Sequence, residues 1–137
     1  MADVVSAVRT WLLSQSAVTD VISQRMYLDV LRQDATLPAA TISKTSESHV
    51  ALLSDRSGLV QTRLKIECYS KNRLTTNALA EAIYTSGVAV LKGTINSVDI
   101  RGVSVEDGQR NSYIPDSEGG DDHTYITEFD LLVSYRE

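Results

Sequence analysis

Apolar positions along this chain switch between helical and strand spacing, and each switch marks an element. Val4, Val8, Trp11 and Leu12 recur on one helical face, Arg9, Thr10 and Ser14 fall largely on the other, and Asp3 stands where an N-cap belongs. After a polar break at Ser14, Gln15 and Ser16, the residues Val18, Val21 and Ile22 with Asp20 and Ser23 predict one or two further helical turns. Propensity then turns over. The run from Arg25 to Leu31 predicts a first strand. Gln33 to Pro38 is a connection, and because Pro38 has no N–H to donate, a strand begins at it or after it.

Ala39 to Ser46 predicts a strand of small side chains, followed by a polar stretch through Ser57. The clearest period of two lies in Gly58 to Ser70, with Val60, Leu64, Ile66 and Cys68 on one side and Gln61, Arg63, Lys65 and Glu67 on the other. A helix follows from Asn72 or Thr75, with Ala78, Leu79, Ala82, Ile83, Ser86 and Val90 as its apolar stripe, weakened or ended by Gly87 and stopped by Gly93. In the strand predicted from Ser97 to Asp107, Val98 and Ile100 share one parity and Val103 and Val105 the other, so a bulge is expected near Gly102. Thr124 to Arg136 alternates once more, placing Tyr125, Phe129, Leu131, Val133 and Tyr135 together.

This order predicts an α+β fold in a single domain over 1–137: a mainly antiparallel sheet of four to five strands with two main helices packed on one face. The acidic segment from Gly108 to Asp122 is too long for a tight hairpin and reads as a long loop, as does 46–58.

Length and charge narrow the function. A chain of 137 residues buries a core without staples, and its lone cysteine, Cys68, makes no internal disulfide. The segment from Met1 to Arg9 does not read as a signal peptide, and no apolar run is long enough for a membrane span. A net charge of −5 argues against gripping nucleic acid by its phosphates. His49 and His123 sit in polar settings at no zinc spacing, and the run from Asp116 to Asp122 breaks the oxygen-ligand alternation of a calcium loop at Gly119 and Gly120. There is no Gly-x-Ser-x-Gly elbow and no phosphate-cradling glycine motif, so neither an enzyme nor a cofactor or metal protein is expected. Arg63 and Lys65 stand on the wet side of their strand, where mixed charges suit pairing with another copy of the chain.

Several segments resemble one family. Arg25-Met-Tyr27, then Gln33 to Pro38 running into Ala39-Ala-Thr-Ile42, then Leu64 to Ser70 before a helix such as Ala78 to Ile83, and the closing Phe129 to Val133, are similar to tail-completion proteins of long-tailed bacteriophages, also called tail terminators. One departure is Leu31-Arg32, where a proline commonly precedes Gln33. The resemblance implies a virion protein at the head-proximal end of the tail, assembled in the host cytoplasm. It implies a homo-oligomeric ring, usually hexameric, that caps the major tail tube protein, stops its polymerisation and offers a docking surface to head–tail connector proteins. DNA would pass through such a ring without specific binding. The residues expected to meet neighbours are Arg56, Arg63, Lys65, Glu67, Arg110, Tyr113, Asp116 and Glu118. Competing readings are a head–tail connector component, a small-ligand-binding α+β module with 108–122 as its lid, and an enzyme of unknown type.

Overall fold

In the computed structural model, residues 3–32, 35–51, 56–87, 91, 93–115 and 123–136 are described. Three helices and six strands form in the order α1 (Val4–Leu13), α2 (Ser16–Ile22), β1 (Met26–Leu28), β2 (Ala39–Ala51), β3 (Arg56–Ser70), α3 (Arg73–Ala82), β4 (Gly93–Ile95), β5 (Val98–Pro115) and β6 (His123–Arg136). The sheet order is β1-β2-β3-β6-β5-β4. All pairs are antiparallel except β1 with β2, which makes the sheet mixed and wider than the expected four to five strands.

Asp3 caps α1 as expected, and of the two starts expected for α3 the chain uses Asn72, as its cap. The Asp3 carboxylate accepts from the Val5 amide at 3.0 Å, and the Asn72 side chain accepts from the Leu74 amide at 2.8 Å. The buried stripe of α3 is Thr76, Leu79, Ala80 and Ile83, not the expected stripe through Ala78 and Ala82. Leu79 and Ile83 fit both readings, but the burial of Thr76 and Ala80 turns the helix by one position and leaves Ala78 exposed. One turn of π-helix, Ile83–Gly87, closes it. Trp11, expected in the core, is only partly buried against it.

The centre of the sheet is β3 against β6. Their register sets Leu64 opposite Leu131 and Ile66 opposite Phe129, all essentially fully buried under the helices. Each such side chain contributes about 1.5–3 kcal/mol by leaving water. In β5 the expected bulge is present: the register slips between Ile100 and Gly102, which keeps Ile100 opposite Tyr135 and Val103 opposite Val133 on the core side.

Three expectations change. The first strand shrinks from 25–31 to Met26–Leu28, where Asp29 takes a positive φ of 67° and ends the extended run. The polar segment expected as a loop over 46–58 is strand in its described part, since β2 runs on to Ala51 and β3 starts at Arg56. Likewise the segment expected as a loop from 108 is strand as far as Pro115. Both segments are rich in polar residues, so composition reads as loop while the ladder reads as strand. The strand β4 was not anticipated. It turns into β5 through Asn96 and Ser97, both at positive φ (48° and 68°), the geometry of a two-residue hairpin turn.

Cys68 lies fully buried, and desolvation, with Glu67 nearby, drives its thiol far above the ordinary range. A thiol reagent should therefore label native protein no faster than the sheet opens, and labelling should track hydrogen exchange of β3. Rapid stoichiometric labelling without denaturant would contradict this core.

Candidate interaction surface

The face of the sheet away from the helices is built by the opposite parity of the same strands. Lys65 Nζ lies 3.3 Å from Glu128 Oε2 and 3.9 Å from Glu67 Oε1. Arg110 donates from Nε to Glu128 Oε1 at 3.2 Å and from Nη2 to Asp130 Oδ1 at 3.3 Å. The register explains the arrangement. Glu67 of β3 stands directly opposite Glu128 of β6, a repulsive cross-strand pair, and Lys65 bridges both carboxylates. Tyr69 donates to Glu67 Oε2 at 3.1 Å. Burial, with further contributions from Glu67 and Glu128, raises the Tyr69 hydroxyl to about 12, so it stays a donor across the physiological range.

Lys65, Glu67 and Arg110 share this face, with Glu128 and Asp130 as partners that sequence reasoning missed. Their signal was present in the β6 parity opposite to Phe129 and Leu131. Arg63 lies one step along the same face, opposite Leu132. Arg56 opens β3, and its side chain is outside the described residues, as are Asp116, Glu118 and the whole run 116–122.

Tyr113 belongs elsewhere. It pairs with Tyr125, level with Ser70 at the end of β3 and on the parity opposite to Arg110, and lies 5.0 Å from the His123 ring and 6.4 Å from the Tyr125 ring, with His123 stacked on Tyr125 at 6.2 Å. His123 therefore opens a strand, and His49 falls within β2; neither sits in a loop. Among the described residues no three His, Cys, Asp or Glu side chains gather as metal ligands.

A polar node anchors this end. Arg73, the first residue of α3, donates to the Ile126 carbonyl at 2.8 Å, to Thr127 Oγ1 at 3.2 Å and to the Ser112 carbonyl, and its guanidinium lies 5.0 Å from the Tyr125 ring centre. The buried Thr127 hydroxyl also lies 3.0 Å from Thr76 Oγ1 and 2.8 Å from Asn111 Oδ1. Helix α3 is thereby tied to both strands of the β5–β6 hairpin. A groove of about 260 Å³ opens between α3 and β5, lined by Glu81, Tyr84, Val105, Gly108, Gln109 and Phe129. It is smaller than ordinary small-molecule pockets of roughly 300–1,000 Å³ and gathers no set of converging donors, unlike the pocket a ligand-binding module would need.

The model of the family described as "Tail completion protein gp17" matches residues 6–86, more than half of the chain. The chain belongs to that family. As a tail completion protein it has a structural role in the tail of a phage-type virion. The fold is similar to that of a chain in the virion of a native gene transfer agent particle, with a TM-score of 0.62, 15% identity, and coverage of 96% of this chain and 93% of that one. Comparison with curated proteins returned no match.

The segments that carried the resemblance do structural work in this tail completion protein. Arg25 Nε donates to the Pro38 carbonyl at 3.0 Å, and the Ala40 amide donates to the Arg25 carbonyl at 3.0 Å, which seats β1 beside the start of β2. Arg9, expected on the outer side of its helix, reaches the Met26 carbonyl at 2.7 Å and holds the same strand from behind.

Two experiments test these contacts. Arg73→Ala should cost about 1–3 kcal/mol in denaturant unfolding and speed hydrogen exchange at 111–114 and 125–127; unchanged protection there would refute the anchoring role. A double-mutant cycle on Lys65 and Glu128, both partly exposed, should give a coupling of about 0.2–1 kcal/mol that shrinks with salt. A coupling of several kcal/mol would mean the pair is far better shielded than its exposure indicates.

Proposed function

We propose that this protein closes into a hexameric ring on the final ring of the tail tube, stops its growth and presents the surface to which head–tail connector proteins dock. The observation that carries this reading is the family match from α1 through α3, on a chain whose described residues supply exposed sheet surface and hairpins in place of a catalytic cleft. A tube-capping protein works by contact area and shape, and a sheet covered on one side only leaves its second face and its edges for neighbours.

The charge distribution suits a ring traversed by DNA. At −5 per chain, six copies carry about −30. On the sheet face, Lys65 and Arg110 are already engaged by Glu67, Glu128 and Asp130, so phosphates would have to displace carboxylates to bind there. The major tail tube protein and the connector are the partners. The head-proximal tip of the virion tail is the final location, reached from the host cytoplasm during assembly.

Removing the protein from an assembling system should give tubes of excess length and heads that fail to join, and adding purified protein should restore length and joining. Purified protein should also bind isolated tubes at one end, seen by electron microscopy. Tubes of normal length in its absence would refute the proposal.

A further inference from the structure

Among the described residues the two edges of the sheet are left largely open, and they match. Strand β1 covers β2 only at Ala40–Ile42, and β4 covers β5 only at Val98–Ile100. Beyond those points β2 continues through Ser43 and Ser46 at one outer edge, and β5 continues through Gly102 and Val105 at the other. Soluble monomers blunt such edges with proline, crowded charge or very short strands. Here the regular windows, Gly102-Val-Ser-Val105 and Ser46-Glu-Ser-His-Val50, contain no proline and a single formal charge, Glu47. Register shifts interrupt β2 at Lys44/Ser46 and Val50/Ala51 and β5 at Ile100/Gly102, Val105/Asp107 and Asp107/Arg110, yet β2 from Ser46 to Val50 and β5 from Gly102 to Val105 keep regular register between them. Each edge also exposes large apolar side chains, Leu28 and Val30 on the β1–β2 side and Tyr113 and Ile114 on the β5 side.

We propose that neighbouring copies join edge to edge, β2 of one against β5 of the next, so that the sheets run on from chain to chain around the ring. This rests on the ring reading above and names the contact that would build it. Two features select a second copy as the occupant. The first is direction. β2 opposes β3, β3 opposes β6 and β6 opposes β5, so β2 and β5 run in opposite directions within one chain. Copies related by rotation about an axis along the strands therefore bring β5 beside β2 in the antiparallel sense, the better hydrogen-bonded one. The second is height. Ser46, Arg63, Leu132 and Ser104 form one continuous row across the sheet, with Ser46 at one edge and Ser104 at the other. The regular window of each edge thus lies level with that of its neighbour. The contact is heterologous, since two unlike edges meet, and it closes when the rotation divides a full circle.

Cysteine trapping tests it on assembled material. Opposed residues of an antiparallel pair lie within disulfide reach, with Cα atoms roughly 4.4–6.8 Å apart. The native Cys68 is buried and does not compete. Double variants Ser46→Cys/Ser104→Cys, Ser48→Cys/Ser104→Cys and Ser46→Cys/Gly102→Cys cover a level contact and a two-residue stagger either way, all on the same face. On capped tubes, mild oxidation of one of them should give a ladder of covalent multimers. Mixing Ser46→Cys chains with Ser104→Cys chains should give dimers only. If the variants cap tubes at normal length and every pairing stays monomeric after oxidation, the edge contact is wrong while the ring reading stands. If the unmodified protein fails to bind tubes at all, both fall together.

Discussion

Helices cover only one side of this sheet, and most of the molecule follows from that. The shielded side collects Leu64, Ile66, Phe129 and Leu131 on the two central strands, where they meet α1, α2 and α3 in one core. The other side must then live beside water, and its strands carry Lys65, Glu67, Glu128, Asp130 and Arg110 in interlocking pairs. These pairs hold little stability each, because they are partly exposed. Their role is to keep a flat face soluble while β3, β6 and β5 stay in register.

The sequence is most informative where packing obeys a strict period. Alternation in β3 and β6 identifies both strands and both faces, and the parity change around Gly102 locates a bulge before any coordinates are seen. Asp3 and Asn72 mark helix starts because a cap is a local interaction. Elsewhere the deciding contacts are distant in the chain. Arg73 resembles a solvated helix residue until Ile126, Thr127 and Ser112 come within its reach, more than thirty-five residues away. Arg9 depends in the same way on Met26. The far ends of β2 and β5 hide behind polar residues such as Ser46, Ser48, Asn111 and Ser112, which favour loops in isolation and pair here with β3 and β6. Of the residues expected to meet partners, Lys65, Glu67 and Arg110 share one surface because strand parity dictates it, and the same parity puts Tyr113 on the other face with His123 and Tyr125.

Motif residues that mark a family need not be the ones that touch its partners. Arg25 and Pro38, central to the resemblance, are engaged in seating β1 against β2 at the foot of the helices. They specify a scaffold.

Strand β5 is longer than the partner it lies against. From Ile100 to Arg110 it takes ten steps while β6, from Tyr135 to Glu128, takes seven. Three surplus residues amount to about 10 Å of additional path. The surplus is taken up at the register shifts, where one strand bends and twists more strongly than its partner. Slack in β5 thus gives that border of the sheet a bend of its own while β6 runs on regularly beside it.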